Sequence, residues 1–235
     1  MPPITSVAAI IPMRHNSERI PYKNFRDFRG RPLYAHIIET LIRCKHIDEI
    51  LIDTDSQTIR DDCAQRFPAV RVTERPEHLR DGGIPMNRVL QHSATSVASE
   101  WILQTHSTNP LLRPATLERA IEALSESTQH DSLFGVTEWH TRLYDHHGQP
   151  INHNPAQLLR TQDLPPIYEE NSNVYLFHRS TLERLGRRIG DHPLLFEIDR
   201  LEAVDIDDDT GWRLAEAIAH MQEQQQQQHQ QETQS

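Results

Sequence analysis

Short apolar runs alternate along this chain with stretches whose apolar residues recur every three or four positions, and that alternation limits the folds open to it. Val7-Ala8-Ala9-Ile10-Ile11-Pro12 reads as a buried strand. Beyond a polar loop, Leu33, Ile37 and Leu41, with Ile38 and Ile42 beside them, mark the stripe of an amphipathic helix. Ile50-Leu51-Ile52 predicts a second strand, ending in Asp53-Thr54-Asp55-Ser56, a loop whose side chains can start a polar helix running towards Phe67. Val70-Arg71-Val72 and Trp101-Ile102-Leu103 predict two more strands. Pro114 suits the first turn of a helix carrying Leu117, Ala120, Ile121 and Leu124. Ser132–Thr137 and Asn173–Phe177 read as further strands and Ala203-Val204-Asp205-Ile206 as the last, while Leu214, Ile218 and Met221 fall on a final helix. Strands alternating with helices predict an α/β fold with a mostly parallel sheet covered on both faces. Such sheets bind ligands beyond the carboxyl ends of their strands.

Two segments break the pattern. From Glu138 to Glu170 the periodicity gives way to His, Pro, Asn and Gln, as in a hairpin or a dimer-contact arm. After Met221 the chain runs into Gln222-Glu223, five glutamines, His229 and more glutamine, which cannot bury a core and is expected to be disordered. The 235 residues therefore read as one domain over 1–221, with an excursion at about 138–170 and a tail at 222–235.

Several functional classes are excluded. Among the 8 glycines no two are spaced as G-x-G, so the dinucleotide fingerprint is missing, as is a P-loop. No H-E-x-x-H occurs among the 15 histidines, and no G-x-S-x-G elbow accompanies any serine. His146, His147 and His153 lack the spacing and thiol partners of a transition-metal site. A net charge of -10 argues against nucleic acid as a partner. No apolar run approaches the ~18 residues of a membrane span, so a membrane is not an expected partner. Cys44 and Cys63 are too few for a disulfide scaffold, and Met1–Val7 has no secretory pattern, so a cytoplasmic location is expected.

Charge is concentrated in two places. From Arg14 to Arg31 there are six Lys or Arg and two acids, directly after the first strand. Arg and Lys there, with backbone N–H groups, can bind phosphate oxygens; a solvated basic loop is the plainer alternative. Glu197–Asp209 holds seven acids and one Arg. If the chain leaves its strand at Asp207, Asp205 and Asp207 can converge on one Mg²⁺, whose hard oxygen ligands they would supply; helix N-capping is the alternative, and the better one for Asp209. Other polar groups stand at predicted strand ends: Arg75 after the third strand, and Gln104-Thr105-His106-Ser107-Thr108-Asn109 after the fourth, where they could read a base or a sugar. Arg160 could grip a substrate carboxylate.

The first loop, Arg14-x-x-Ser17-x-Arg19-x-Pro21-x-Lys23-Asn24 after a strand, resembles the signature of the acylneuraminate cytidylyltransferases, the CMP-sialic acid synthetases and their relatives for legionaminic and pseudaminic acids. In the same chain order, Gly30-Arg31-Pro32-Leu33, Asp53-Thr54-Asp55, Arg75-Pro76-Glu77-His78-Leu79, Gln104 to Arg113, Asn171-x-x-x-Tyr175 and Asp205-Ile206-Asp207 resemble further segments of that family. Together they cover roughly residues 7 to 218. The chain departs from the family pattern at Glu18, where many members carry Lys, and in the His106–Asn109 loop, which carries an extra His and Asn. Asn24 separates it from the similar Kdo cytidylyltransferases, which carry Pro there.

The resemblance implies a Rossmann-like three-layer domain, a small dimerisation arm and a homodimer. It implies transfer of CMP from CTP to the anomeric hydroxyl of a nine-carbon sugar acid, with Mg²⁺ and release of pyrophosphate. It assigns Arg14, Ser17, Arg19, Lys23, Asn24 and Arg75 to the nucleotide, Arg14 and Lys23 gripping the triphosphate. Gln104, Arg160, Asn171 and Tyr175 fall to the sugar, and Asp205 and Asp207 to the metal. Arg14, Lys23 and Asp207 are the expected catalytic set. The rivals are a Kdo-type or other nucleotide-sugar enzyme, and an inactive module that binds nucleotide.

Overall fold

The computed structural model describes residues 3–17 and 19–233. In chain order the strands and helices are β1 (Val7–Met13), the short hairpin β2 (Asp27–Phe28) and β3 (Arg31–Pro32), α1 (Leu33–Arg43), β4 (Glu49–Thr54), α2 (Gln57–Arg66) and β5 (Arg71–Glu74). They continue with α3 (Met86–Ser93), β6 (Trp101–Gln104), α4 (Pro114–Glu126), β7 (Ser132–Trp139), β8 (Ile167–His178), α5 (Arg179–Leu185), β9 (Pro193–Glu197) and α6 (Asp209–Thr233). Seven strands form one sheet in the order β5-β4-β1-β6-β8-β7-β9. β8 alone runs against its neighbours, β6 and β7, and the remaining pairs are parallel. The expected mostly parallel α/β sheet is present.

Every residue of β1 is buried, and its alternation divides the core. Val7, Ala9, Ile11 and Met13 join Ile37, Ile38 and Leu41 of α1, Ile59 of α2 and Leu117, Ile121 and Leu124 of α4. Ala8 and Ile10 join Leu90 of α3, Tyr175 and Phe177 of β8, and Leu182 of α5 on the other face. Helices thus cover both faces, in three layers. A third cluster packs α6 on the β2–β3 hairpin, with Trp212 edge-on to Phe28 at 5.7 Å between ring centroids. The hairpin turns on Arg29 and Gly30, at φ 55° and 79°, the pair of left-handed residues that a two-residue turn between twisted strands requires. At Gly135, beside a bulge in the β7–β8 pairing, a side chain would come within 2.7 Å of both Asn171 Oδ1 and Ile198 Cδ1.

The chain builds β1, β4 and β5 outward in one direction, then returns to lay β6 on the other side of β1. That reversal opens a crevice beyond the strand ends, between the loops that follow β1 and β6.

Four expectations are corrected. Ala203–Ile206 is not a strand: Ile206 is buried beneath α6 in a loop, its N–H donating to Thr108 O at 2.9 Å. An apolar run that anchors a loop looks the same as one that pairs. The last strand is β9, half-exposed at the sheet edge, where its apolar pattern is weak. On α6 the buried face is Trp212, Ala215, Ile218 and Ala219, whereas Leu214 is half-exposed. The tail expected to be disordered continues α6 as helix to Thr233. Glutamine is an adequate helix former, and elongating a helix already nucleated on a core needs no new nucleus. The excursion lies between Trp139 and Ile167, with one isolated bridge, Tyr144 to Pro150.

Candidate active site

The loop after β1 leads into a single turn of 3-10 helix, Lys23–Phe25, entered through Tyr22 in a left-handed conformation at φ 53°. The turn directs Lys23 inward. Its Nζ donates to Ile206 O at 2.7 Å, 183 positions away in sequence, and lies 3.6 Å from Asp207 Oδ1. Arg19 Nη1 lies 3.0 Å from Asp207 Oδ2. Burial pushes the Lys23 ammonium below its ordinary value, although Asp207 and Asp205 pull the other way. The basic loop and the acidic doublet therefore face each other across the crevice.

Three further hydrogen bonds hold the loop in place. Asn24 Nδ2 donates to Arg14 O at 3.0 Å, and Ser107 Oγ donates to Asn24 Oδ1 at 2.7 Å, tying the β1 loop to the β6 loop. The His15 N–H donates to Asp55 Oδ1 at 2.7 Å, tying it to the loop after β4. Together these loops enclose a cavity of about 320 Å³, on which Arg14, Ser17, Lys23, His106, Asp205 and Asp207 all open.

Residues 203–206 form a loop rather than a strand, and from it Asp205 and Asp207, two positions apart, both open on the cavity. Burial first, and the neighbouring Asp207 charge, raise the Asp205 carboxyl above the ordinary range, against a lowering hydrogen bond from Thr108. Among the described residues no three His, Cys, Asp or Glu gather into a metal site. Two carboxylates in a cavity lined by cations fit a cation such as Mg²⁺, which takes one or two protein carboxylates and completes its shell with phosphate oxygens and water.

The other expected residues divide. Asn24 and Arg75 line the cavity. Arg75 is committed inward, however: its guanidinium pairs with the buried Asp53 carboxylate and donates from Nη2 to Asp53 O at 3.0 Å, while Ser93 Oγ donates to Asp53 Oδ2 at 2.8 Å. Gln104 is fully buried behind the wall. Asn171 is bound to Thr137 Oγ1 at 3.3 Å. Tyr175 sits in the second core cluster, its phenol bonded to Glu170 and pushed up to about 12 by burial. Arg160 is not at this cavity; it lies exposed in the excursion, paired with Asp163 at 2.7 Å. Its local partner is three residues away, and no contact brings it to the crevice. Glu18 lies outside the described residues. Met86 and Ser172 line the cavity without any sequence signal that marks them, whereas His106 and Thr108 belong to the polar segment at the end of β6.

A parallel sheet with a charged crevice at its reversal point, cations on one side and carboxylates on the other, defines an α/β protein suited to phosphate-bearing ligands. A family model described as cytidylyltransferase matches residues 8–232, and the chain belongs to that family. It is 27% identical to the N-acylneuraminate cytidylyltransferase of Oncorhynchus mykiss over 89% of this chain and 49% of that protein. It is 25% identical to the CMP-N,N'-diacetyllegionaminic acid synthase of Legionella pneumophila over 93% of this chain and 98% of that one. It is 31% identical to a pseudaminic acid cytidylyltransferase of Campylobacter jejuni over 71% and 75%. The chain spans about half the length of the N-acylneuraminate cytidylyltransferases it matches. The fold is similar to that of a CMP:2-keto-3-deoxy-manno-octonic acid synthetase solved with CTP, at TM-score 0.70 and 14% identity over 93% of this chain and all of that one.

Proposed function

We propose that this chain transfers CMP from CTP to the anomeric hydroxyl of a sialic-acid-like nine-carbon sugar acid and releases pyrophosphate. The observation that carries the reading is the meeting of Lys23 and Arg19 with Asp207 in one cavity. In the reaction the sugar hydroxyl oxygen forms a bond to the α-phosphorus and releases its proton to water, the bond from that phosphorus to the bridging oxygen breaks, and its electron pair leaves with pyrophosphate. Such chemistry is mostly positioning and charge neutralisation. Arg14, exposed at the cavity mouth, and Lys23, at its floor, take the phosphate oxygens. Arg19 can turn from Asp207 to the same charge. Asn24, held between Arg14 O and Ser107 Oγ, keeps the loop against β6 while the triphosphate is bound. Asp205 and Asp207 would hold Mg²⁺, which when bound neutralises phosphate charge and acidifies the attacking hydroxyl.

The relatives' substrates support this acceptor class. Two copies are proposed to pair through the excursion, as its exposed apolar side chains suggest, in the cytoplasm, where Cys44 and Cys63 would stay reduced. The test is pyrophosphate release from CTP and Mg²⁺ with N-acetylneuraminic, legionaminic, pseudaminic or Kdo acid. Turnover on one of the first three is expected. Turnover on Kdo alone would favour the Kdo-type reading. A thermal shift with CTP and no release from any acid would favour an inactive nucleotide-binding module.

A further inference from the structure

The cavity wall formed by the ends of β6 and β8 contains a hydrogen-bond relay that the proposed chemistry leaves unused. Arg188, between α5 and β9, lays its guanidinium over the Tyr175 ring, with Cζ 3.4 Å from the centroid, and lies 3.7 Å from Glu170 Oε1. Its Nη1 donates to Gln104 Oε1. A guanidinium only donates, so the amide atom facing it must be the oxygen. The other amide atom lies 3.2 Å from the Thr105 carbonyl, which only accepts, so an independent contact makes it the nitrogen. That nitrogen is 2.9 Å from His106 Nε2. Two N–H groups cannot point at each other. His106 Nε2 therefore accepts, and the proton of the neutral ring sits on Nδ1. Burial, with Arg188 nearby, holds the ring's pKa down at about 4, which keeps it neutral. Nδ1 has no protein partner among the described residues and is not one of the buried polar atoms left without one, while His106 lines the cavity.

Gln104 is thus spent inside the protein, and His106 occupies the wall in front of it. The cationic loop belongs to β1; Ser107, Thr108 and Ser172 line the same cavity as His106, and Arg188, Asp207 and Lys23 act electrostatically on its ring. We propose that His106 is a specificity-determining residue whose Nδ1–H, oriented by the Arg188–Gln104 relay, donates to an uncharged hydroxyl or acyl-carbonyl oxygen of the sugar acid. Arg188 is a positioning residue that acts through Gln104. This inference rests on the cytidylyltransferase reading.

The test begins with the full chain labelled with ¹⁵N-histidine. The His106 ring, assigned by its loss in His106→Asn, is expected to show a protonated Nδ1 and an unprotonated Nε2. Arg188→Met frees the Gln104 amide to rotate and is expected to give both tautomers. Kinetically, His106→Leu is expected to raise KM for the acceptor roughly three- to tenfold and leave KM for CTP unchanged, the loss of one neutral hydrogen bond. His106→Asn, whose amide nitrogen reaches the Nδ1 position, is expected to restore most of that loss. A protonated Nε2 in the unmutated chain overturns the proposal, as does an acceptor KM unmoved in His106→Leu. A chain that turns over none of the four acids refutes the cytidylyltransferase reading and the acceptor contact with it, while the tautomer still reports on the relay.

Discussion

Asp207 is the residue on which the site's charge balance turns. Its carboxylate is half-exposed, faces both Arg19 and Lys23, and lies one residue from the carbonyl that accepts the Lys23 proton. The Arg19–Asp207 pair is exposed on both sides, and exposed ion pairs contribute about 0–1 kcal/mol to stability, while the buried Lys23 keeps Ile206 O as a partner when Asp207 loses its charge. Asp207→Asn is expected to cut pyrophosphate release by about 10²–10³-fold, the scale of losing one electrostatic contact at the transition state. The melting temperature should barely move. A variant with normal turnover would remove Asp207 from the machinery. Arg75 differs: it is an arginine at the cavity edge whose guanidinium is already engaged by Asp53 through Nε and Nη2. Its side chain shapes the wall, and the ligand meets little of its charge.

At the scale of elements, one carboxylate joins the strands on either side of β1. Glu49, at the start of β4, accepts from Ala98 N at 3.0 Å and from Ser99 N and Ser99 Oγ at 2.9 Å, and pairs with Arg71 Nη2 at 3.1 Å. This pins the turn that feeds β6. Burial pushes the Glu49 carboxyl up, but the hydrogen bonds from Ser99 and Ala98 and the charge of Arg71 outweigh it and leave the group below its ordinary value of 4.5. A carboxyl with a lowered folded pKa adds stability above its unfolded pKa, and that stability is lost as pH falls through the folded value. Glu49→Gln is therefore expected to cost about 1–2 kcal/mol at neutral pH. The gap between variant and parent should close as denaturation is measured at progressively lower pH below 4.5. A gap independent of pH would mean that packing, not the charge, holds the turn.

For the molecule as a whole, the excursion is the part that the core does not explain. Leu158 is 82% exposed there and Ile151 61%, beside Tyr144 and Leu159, apolar surface that a partner would cover. Sedimentation is expected to give twice the 27.3 kDa chain mass, and Leu158→Glu to shift it towards one chain with an unchanged helical signal. A single-chain mass for the unmutated protein would leave the arm without a partner. The α/β class, the buried β1, the stripe of α4 and the polar ends of strands were legible in the sequence, because strand and helix periods and the chemistry of Arg, Lys and Asp are local properties. The same locality misled at Ala203–Ile206, where an apolar run anchors a loop, and at β9, whose edge position thins its pattern. Tertiary structure alone decided that Lys23 meets Asp207, that Arg75 and Gln104 are spent on Asp53 and Arg188, and that His106 presents Nδ1 to the cavity. Those outcomes depend on where the chain reverses beside β1 and on how each donor finds its acceptor, and such pairings form between residues that no local pattern connects.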